Sequence, residues 1–138
     1  MKIVPYISFE GRAEEAIEFY KQALGAEVLV LMRMKDAPEQ PPEGTMPPGS
    51  ENKVMHAGLR IGQAELMCSD GYCSGKVSFG NGVSLSIEVK DDAEARKVFD
   101  ALSAGGQVKM PLAKTFFASS FGMVDDRFGL AWIVSTSA

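Results

Sequence analysis

One histidine, one tryptophan and two cysteines are all that the 138-residue chain holds of its scarcest residue types. Each shortage excludes something. A structural zinc site needs about four ligands, and beside Cys68 and Cys73 no second Cys/His pair exists to complete one. Two cysteines also fall short of the disulfide framework of a small secreted domain. Their spacing in "CSDGYC" allows a strained disulfide, half of a metal site or redox chemistry. The plainer reading is a part-buried thiol at a strand end and another in a turn, and we adopt it without fixing their redox state. No apolar run approaches the roughly 20 residues that cross a bilayer, so no membrane partner is expected. The start, "MKIVPYISF", lacks the long apolar core and small-residue cleavage site of a signal peptide, which makes a cytoplasmic location the default. Lys and Arg number 14 against 18 Asp and Glu, a formal net charge of −4. With no basic run, this argues against a nucleic-acid-binding surface. Also missing are the "G-x-S-x-G" elbow, the P-loop and the "G-x-G-x-x-G" turn.

What remains is ordinary for a globular protein: 46% apolar and 23% charged residues, enough for one domain or two small halves. In "AEEAIEFYKQALG", Ala13, Ala16, Ile17, Tyr20, Ala23 and Leu24 form one helical stripe, stopped by Gly25. A strand "IVPYISF" precedes it and "AEVLVLMRM" follows. The second half repeats the plan. "VSLSIEV" alternates, with Val83, Leu85, Ile87 and Val89 on one face and Ser84, Ser86 and Glu88 on the other. "DDAEARKVFDALSAGG" then aligns Ala95, Val98, Phe99 and Leu102 after an Asp91/Asp92 cap. Glu15-Ala16 and Phe19-Tyr20 match Glu94-Ala95 and Val98-Phe99 at an offset of 79 residues, and "GAEV" matches "GGQV" after a one-residue insertion. Such a repeat fixes the architecture before any other feature. Further strands are expected at 26–35, 53–61 and 63–69, and at 107–113, 115–124 and 128–135. Each half therefore reads β-α-β-β-β, with module 1 at about 1–70, a Gly/Ser-rich linker at 71–82 and module 2 at about 83–138. Five of the seven prolines fall between 36 and 52, in an exposed loop that cannot continue a sheet.

Two tandem βαβββ modules resemble the vicinal oxygen chelate superfamily, which includes glyoxalase I, fosfomycin and bleomycin resistance proteins and extradiol dioxygenases. The words "PYISFEGRAEEAIEFYKQALGAEV", "MHAGLRIG", "LMCSDG" and "DDRFGLAW" look closer to its PhnB-like branch, some members of which are labelled 3-demethylubiquinone 3-methyltransferase-like. The resemblance spans essentially the whole chain. It implies an α+β fold in which two modules form a cup-shaped, glyoxalase-like half-barrel, and two chains commonly pair as a homodimer. The last strand would close the second module, entered through a turn set by Asp126 and Gly129. Leu130, Trp132 and Val134 would then face the helix, while Ala131 and Ile133 face the cup.

Metal-using relatives carry His, Glu or Gln ligands on strands facing the cup, and the ion polarises substrate oxygens. Counting back from Phe19-Tyr20 places the first ligand position on Pro5. Its second-half equivalent is Ser84, the last-strand position is Ile133, and only Glu65, which shares a strand face with Met67, offers a carboxylate. Pro, Ser, Glu and Ile do not make a metal site, so neither metal nor other cofactor is expected. The methyltransferase label is unsupported as well, because a nucleotide-derived methyl donor usually needs a glycine-rich turn in a parallel sheet.

The candidate ligand-binding residues are Pro5, Ile7, Glu65, Met67, Ser84, Ser86, Phe117, Phe121 and Ile133. Glu65, if desolvated among Met67, Ile7 and Ile133, would have a raised pKa and act as a base or ligand anchor; a solvated strand-edge acid is the alternative. His56, the sole histidine, is either a strand-end residue bonded to the proline loop or a proton shuttle. Phe116 adds to an aromatic wall with Phe117 and Phe121, and Met32, Met34, Met67, Met110 and Met123 are adaptable lining. The function expected is metal-independent binding of a small molecule. Alternatives are a lyase, isomerase or dioxygenase using a metal held by His56 and Glu65, and a non-catalytic interaction module. Elemental analysis of protein purified without chelators separates the first two: we expect no stoichiometric Zn, Ni, Fe or Mn, and a full equivalent would favour the enzyme.

Overall fold

The computed structural model describes residues 1–137. Among them the elements run β1 (Tyr6–Ser8), α1 (Ala13–Leu24), β2 (Glu27–Arg33), β3 (Val54–Ile61), β4 (Ala64–Ser69), β5 (Leu85–Val89), α2 (Asp92–Ser103), β6 (Gln107–Ala113), β7 (Phe121–Asp125) and β8 (Ala131–Thr136). The chain divides into two compact units, Met1–Val77 and Ser78–Ala138. The break falls inside the linker that the sequence marks.

Both units are built alike. The first sheet has strand order β1-β4-β3-β2 and the second β5-β8-β7-β6. In each, the first strand lies parallel to the last and the remaining neighbours are antiparallel. The protein is thus α+β, with two βαβββ units whose sheets stay open at both edges. The two helices start 79 residues apart, at Ala13 and Asp92, and β2 and β6 start 80 apart, as the one-residue insertion requires. After that the spacing diverges, because residues 34–53 connect β2 to β3 where only 114–120 connect β6 to β7. The longer connection begins and ends in short 3-10 turns, Met34–Asp36 and Ser50–Asn52, and is pinched at its neck by the Met34 N–H donating to Lys53 O at 2.9 Å. Met34 is buried in that neck, not part of any lining.

Each helix forms where its stripe predicts. Ala13, Ala16, Ile17 and Tyr20 are buried, and so is Phe19. Gly25 ends α1 in the left-handed region, φ 67°, where its N–H reaches back to Lys21 and Tyr20 carbonyls. The N-terminus of α1 has no side-chain cap from its own sequence. Asp70, from the end of β4, supplies one: its Oδ1 accepts from Ala13 N at 2.7 Å and Gly11 N at 3.1 Å, and its Oδ2 from Val54 N at 2.7 Å. One buried carboxylate thereby ties the helix start to the start of β3. Helix α2 is capped locally. Asp91 accepts from Glu94 N at 2.8 Å and Glu94 accepts in return from Lys90 N at 3.2 Å.

One face of each sheet is buried. In the first unit it carries Ala57, Leu59, Leu66 and Cys68; in the second, Val124, Trp132 and Val134, with Phe99 of α2 packed over Gly122. Trp132 is core, 3% exposed. Its Nε1 donates to Asp126 Oδ2 at 2.8 Å, while Asp126 Oδ1 accepts from Phe128 N at 2.9 Å and Leu130 N at 3.1 Å. The "DDRFG" turn is therefore wound around a buried carboxylate, with Gly129 at φ 85°.

Two readings need correction. The strand expected at 115–124 is only β7, Phe121–Asp125. Thr115 folds the preceding residues into a turn, its Oγ1 accepting from Phe117 N at 3.3 Å and Ala118 N at 3.1 Å; such local bonds compete with a sheet ladder. Cys68 is wholly rather than partly buried, and both thiols are free. Burial pushes the Cys68 thiol up to about 12, and burial also raises Cys73, which sits in a turn at φ 55°.

Three outcomes follow from this packing. A Cβ at Gly122 would lie 2.7 Å from the Phe99 ring and 3.1 Å from the Leu112 backbone, so Gly122→Ala should destabilise by about 1–3 kcal/mol in urea unfolding. Asp126→Ala strands three donors and should cost roughly 2–4 kcal/mol by the same measurement. Since only the thiolate is alkylated, iodoacetamide at pH 8 should modify Cys73 before Cys68, and Cys68 only on unfolding.

Candidate functional site

The faces opposite the helices are where half-exposed side chains gather. Neighbouring strand residues in register share a face, so the pairing lists each face directly. On the second unit, Ser86 pairs with Ile133, Ile133 with Met123 and Met123 with Met110, a row across all four strands. The next row runs Glu88, Ser135, Phe121 and Ala113. Phe117, in the 114–120 turn, meets Phe121 edge-on with ring centroids 5.1 Å apart, and Phe116, fully exposed, meets Phe117 at 5.0 Å. Of the residues expected here, Ser86, Phe121 and Ile133 thus share one face, and Phe117 leans on it from the turn. Ser84 lies one residue ahead of β5 and is exposed.

On the first unit the row is Tyr6, Met67, Gly58 and Val30, with Glu65, Arg60 and Glu27 along one side and His56 opposite Met32 along the other. This corrects β1. Ile7 pairs with Cys68, on the buried face, and does not join Met67. Pro5 precedes the strand and contributes its carbonyl, which accepts from Met67 N at 2.9 Å. Tyr6 takes the place on the open face. A shift of one residue in register exchanges the two faces of a strand, and nothing within "PYISF" itself states which register β4 imposes.

His56 is also placed differently. It is the third residue of β3, and its partner is in another strand rather than a loop: Tyr6 Oη lies 3.2 Å from Nδ1, and the two rings stack with centroids 5.7 Å apart at 29°. Tyr6 was the residue the sequence reading missed. The signal available was weak, an aromatic alternating with Ile7 in a three-residue strand.

Glu65 is not the desolvated acid considered above. Its Oε2 accepts from Lys2 Nζ at 2.7 Å, and both side chains are substantially exposed. That hydrogen bond, with the charge of Lys2 and a smaller contribution from Arg60, holds the carboxyl below the usual glutamate range. A carboxylate stabilised in this way is a weaker base than an ordinary glutamate. Among the described residues no three His, Cys, Asp or Glu side chains converge as metal ligands. In a carboxyl-detected NMR titration, Lys2→Ala should raise the Glu65 pKa back toward its ordinary value; an unchanged titration would show that the ion pair does not form in solution.

With this geometry in place, comparison with known proteins is informative. A family profile described as 3-demethylubiquinone-9 3-methyltransferase matches residues 1–135. The protein YjdN of Escherichia coli is 34% identical over 98% of this chain and 95% of its own length. A Pseudomonas aeruginosa protein of known structure is 41% identical, with TM-score 0.84 over 99% of this chain and 98% of that one. A PhnB protein from Bacillus cereus is 30% identical, with TM-score 0.81 over 99% and 100% of the two chains. A glyoxalase/bleomycin resistance protein/dioxygenase family enzyme from Burkholderia phytofirmans, at 14% identity and TM-score 0.60 over 99% and 96%, shares the fold. Duplicated βαβββ topology, the "DDRFG" turn and a match along nearly the whole chain lead to one assignment: this chain belongs to the PhnB-like, 3-demethylubiquinone-9 3-methyltransferase family of glyoxalase-like fold.

Proposed function

We propose that this protein binds a small, largely apolar organic molecule on its open sheet faces, without requiring a metal ion. The observation that carries the reading is the row Met110, Met123, Ile133 and Ser86, with Phe121 beside it. Apolar, part-exposed side chains with a hydroxyl at one end are the usual make-up of a small-molecule surface, and methionine adapts to varied shapes. The family's name suggests a quinone precursor as one ligand class. Methyl transfer to it would need a methyl donor, and the two mixed sheets offer no glycine-rich turn of the doubly wound kind. Binding is thus the better-supported half of that name.

A second copy of the chain is proposed as partner. Val28, Leu29 and Val30 are exposed on β2, the edge of its sheet, and an apolar edge strand is poised for further pairing. No helix among the described residues is long and apolar enough to cross a membrane.

Thermal unfolding with a short-chain demethylubiquinone, Zn²⁺ or Ni²⁺ tests the reading. The quinone precursor should raise Tm; at a hundred times Kd the gain is about 2.7 kcal/mol. Ile133→Asp should abolish that gain, measured against the variant's own unliganded Tm. Stabilisation by a metal ion alone, or a probe effect untouched by Ile133→Asp, would overturn it.

A further inference from the structure

We infer that Tyr6 holds His56 as the Nε2–H tautomer, so that the imidazole donates a hydrogen bond to an acceptor oxygen, carbonyl or carboxylate, of a ligand on the open face of the first sheet. The inference rests on the binding reading above and adds the ligand's chemistry to it.

The argument begins with donor and acceptor strengths. A neutral imidazole carries one proton, and the nitrogen without it is an acceptor. A phenol is a good donor and a poor acceptor, because its oxygen lone pair is conjugated with the ring. Of the two ways to share a proton between Tyr6 Oη and His56 Nδ1, at 3.2 Å, the favoured one has Oη donating to an unprotonated Nδ1. The ring proton then sits on Nε2, as when a partner on one nitrogen fixes the role of the other. Among the described residues Tyr6 is the hydrogen-bond partner of His56, which leaves the Nε2–H for an incoming group.

The surroundings are suited to such a ligand. His56 is half-buried and its backbone is fixed opposite Met32 on β2. The stacked Tyr6 ring, 5.7 Å away at 29°, restrains the imidazole plane. Met67 beside Tyr6 and Met32 beside His56 supply apolar, polarizable surface for the body of the molecule. The cations of the same face are already engaged, Lys2 by Glu65 at 2.7 Å and Arg60 by Glu27 at 3.6 Å. An acceptor oxygen therefore meets the imidazole N–H without first breaking an ion pair.

Because His56 is the sole histidine, its ring nitrogens need no assignment in a long-range ¹H–¹⁵N NMR spectrum. At pH 8 the wild-type protein should show one protonated and one unprotonated nitrogen, well separated and of the Nε2–H pattern. In Tyr6→Phe the two resonances should move together, toward the mixture that free imidazole shows. A change confined to packing would leave that separation alone. Sodium benzoate should then shift the Nε2 resonance and the Met67 methyl, and benzylamine, a donor of similar size, should shift Nε2 far less. An Nδ1–H pattern in the wild type, or a pattern unchanged by Tyr6→Phe, overturns the tautomer assignment even if benzoate still moves the Met67 methyl, in which case the binding reading stands. Equal responses of Nε2 to benzoate and benzylamine overturn the acceptor preference.

Discussion

A single helix covers one face of a four-stranded sheet and no more. Each unit here has one helix and one such sheet, so each buries the face beneath the helix and leaves the other to find its partners elsewhere. Ala57, Leu59 and Cys68 in the first unit and Trp132 and Val134 in the second are sealed from water. Their strand neighbours His56, Met67, Met123 and Ile133 are not. The half-exposed surface of each sheet is the remainder of that division. It consists of adaptable and lightly polar side chains because strand alternation places them where core packing makes no demand.

The division is maintained by two buried carboxylates that act at different points of the duplicated plan. Asp70 caps α1 and steadies the start of β3, whereas Asp126 winds the turn into β8 and holds the Trp132 indole. Both collect backbone N–H groups that would otherwise be buried without partners, which is among the larger penalties a fold can incur. Helix α2 draws its cap from the adjacent Asp91, while α1 takes its cap from a residue at the end of β4. The repeat therefore preserves topology more faithfully than it preserves the bonds that fasten it.

The helices, the duplication, the "DDRFG" turn and the core position of Trp132 were legible in the chain because each is a local pattern. A stripe at helical period, a glycine stop and an aspartate two residues ahead of an aromatic act over a few residues. Strand boundaries near Thr115 were harder, since a threonine turn and a strand start share composition. Glu65 looked like a candidate for desolvation because Met67, Ile7 and Ile133 are apolar. In the folded chain it is exposed and paired with Lys2, far from it in sequence.

The sequence alone determined the two βαβββ units and the faces within each long strand, both properties of residue type and spacing. Only the tertiary structure decided how the strands align. Registration of β1 against β4 turned Ile7 toward the core and brought Tyr6 to His56, and the fold brought Asp70 to a helix it does not adjoin. The reason is that register depends on contacts between segments far apart in the chain, and a slip of one residue reverses every side chain in a strand.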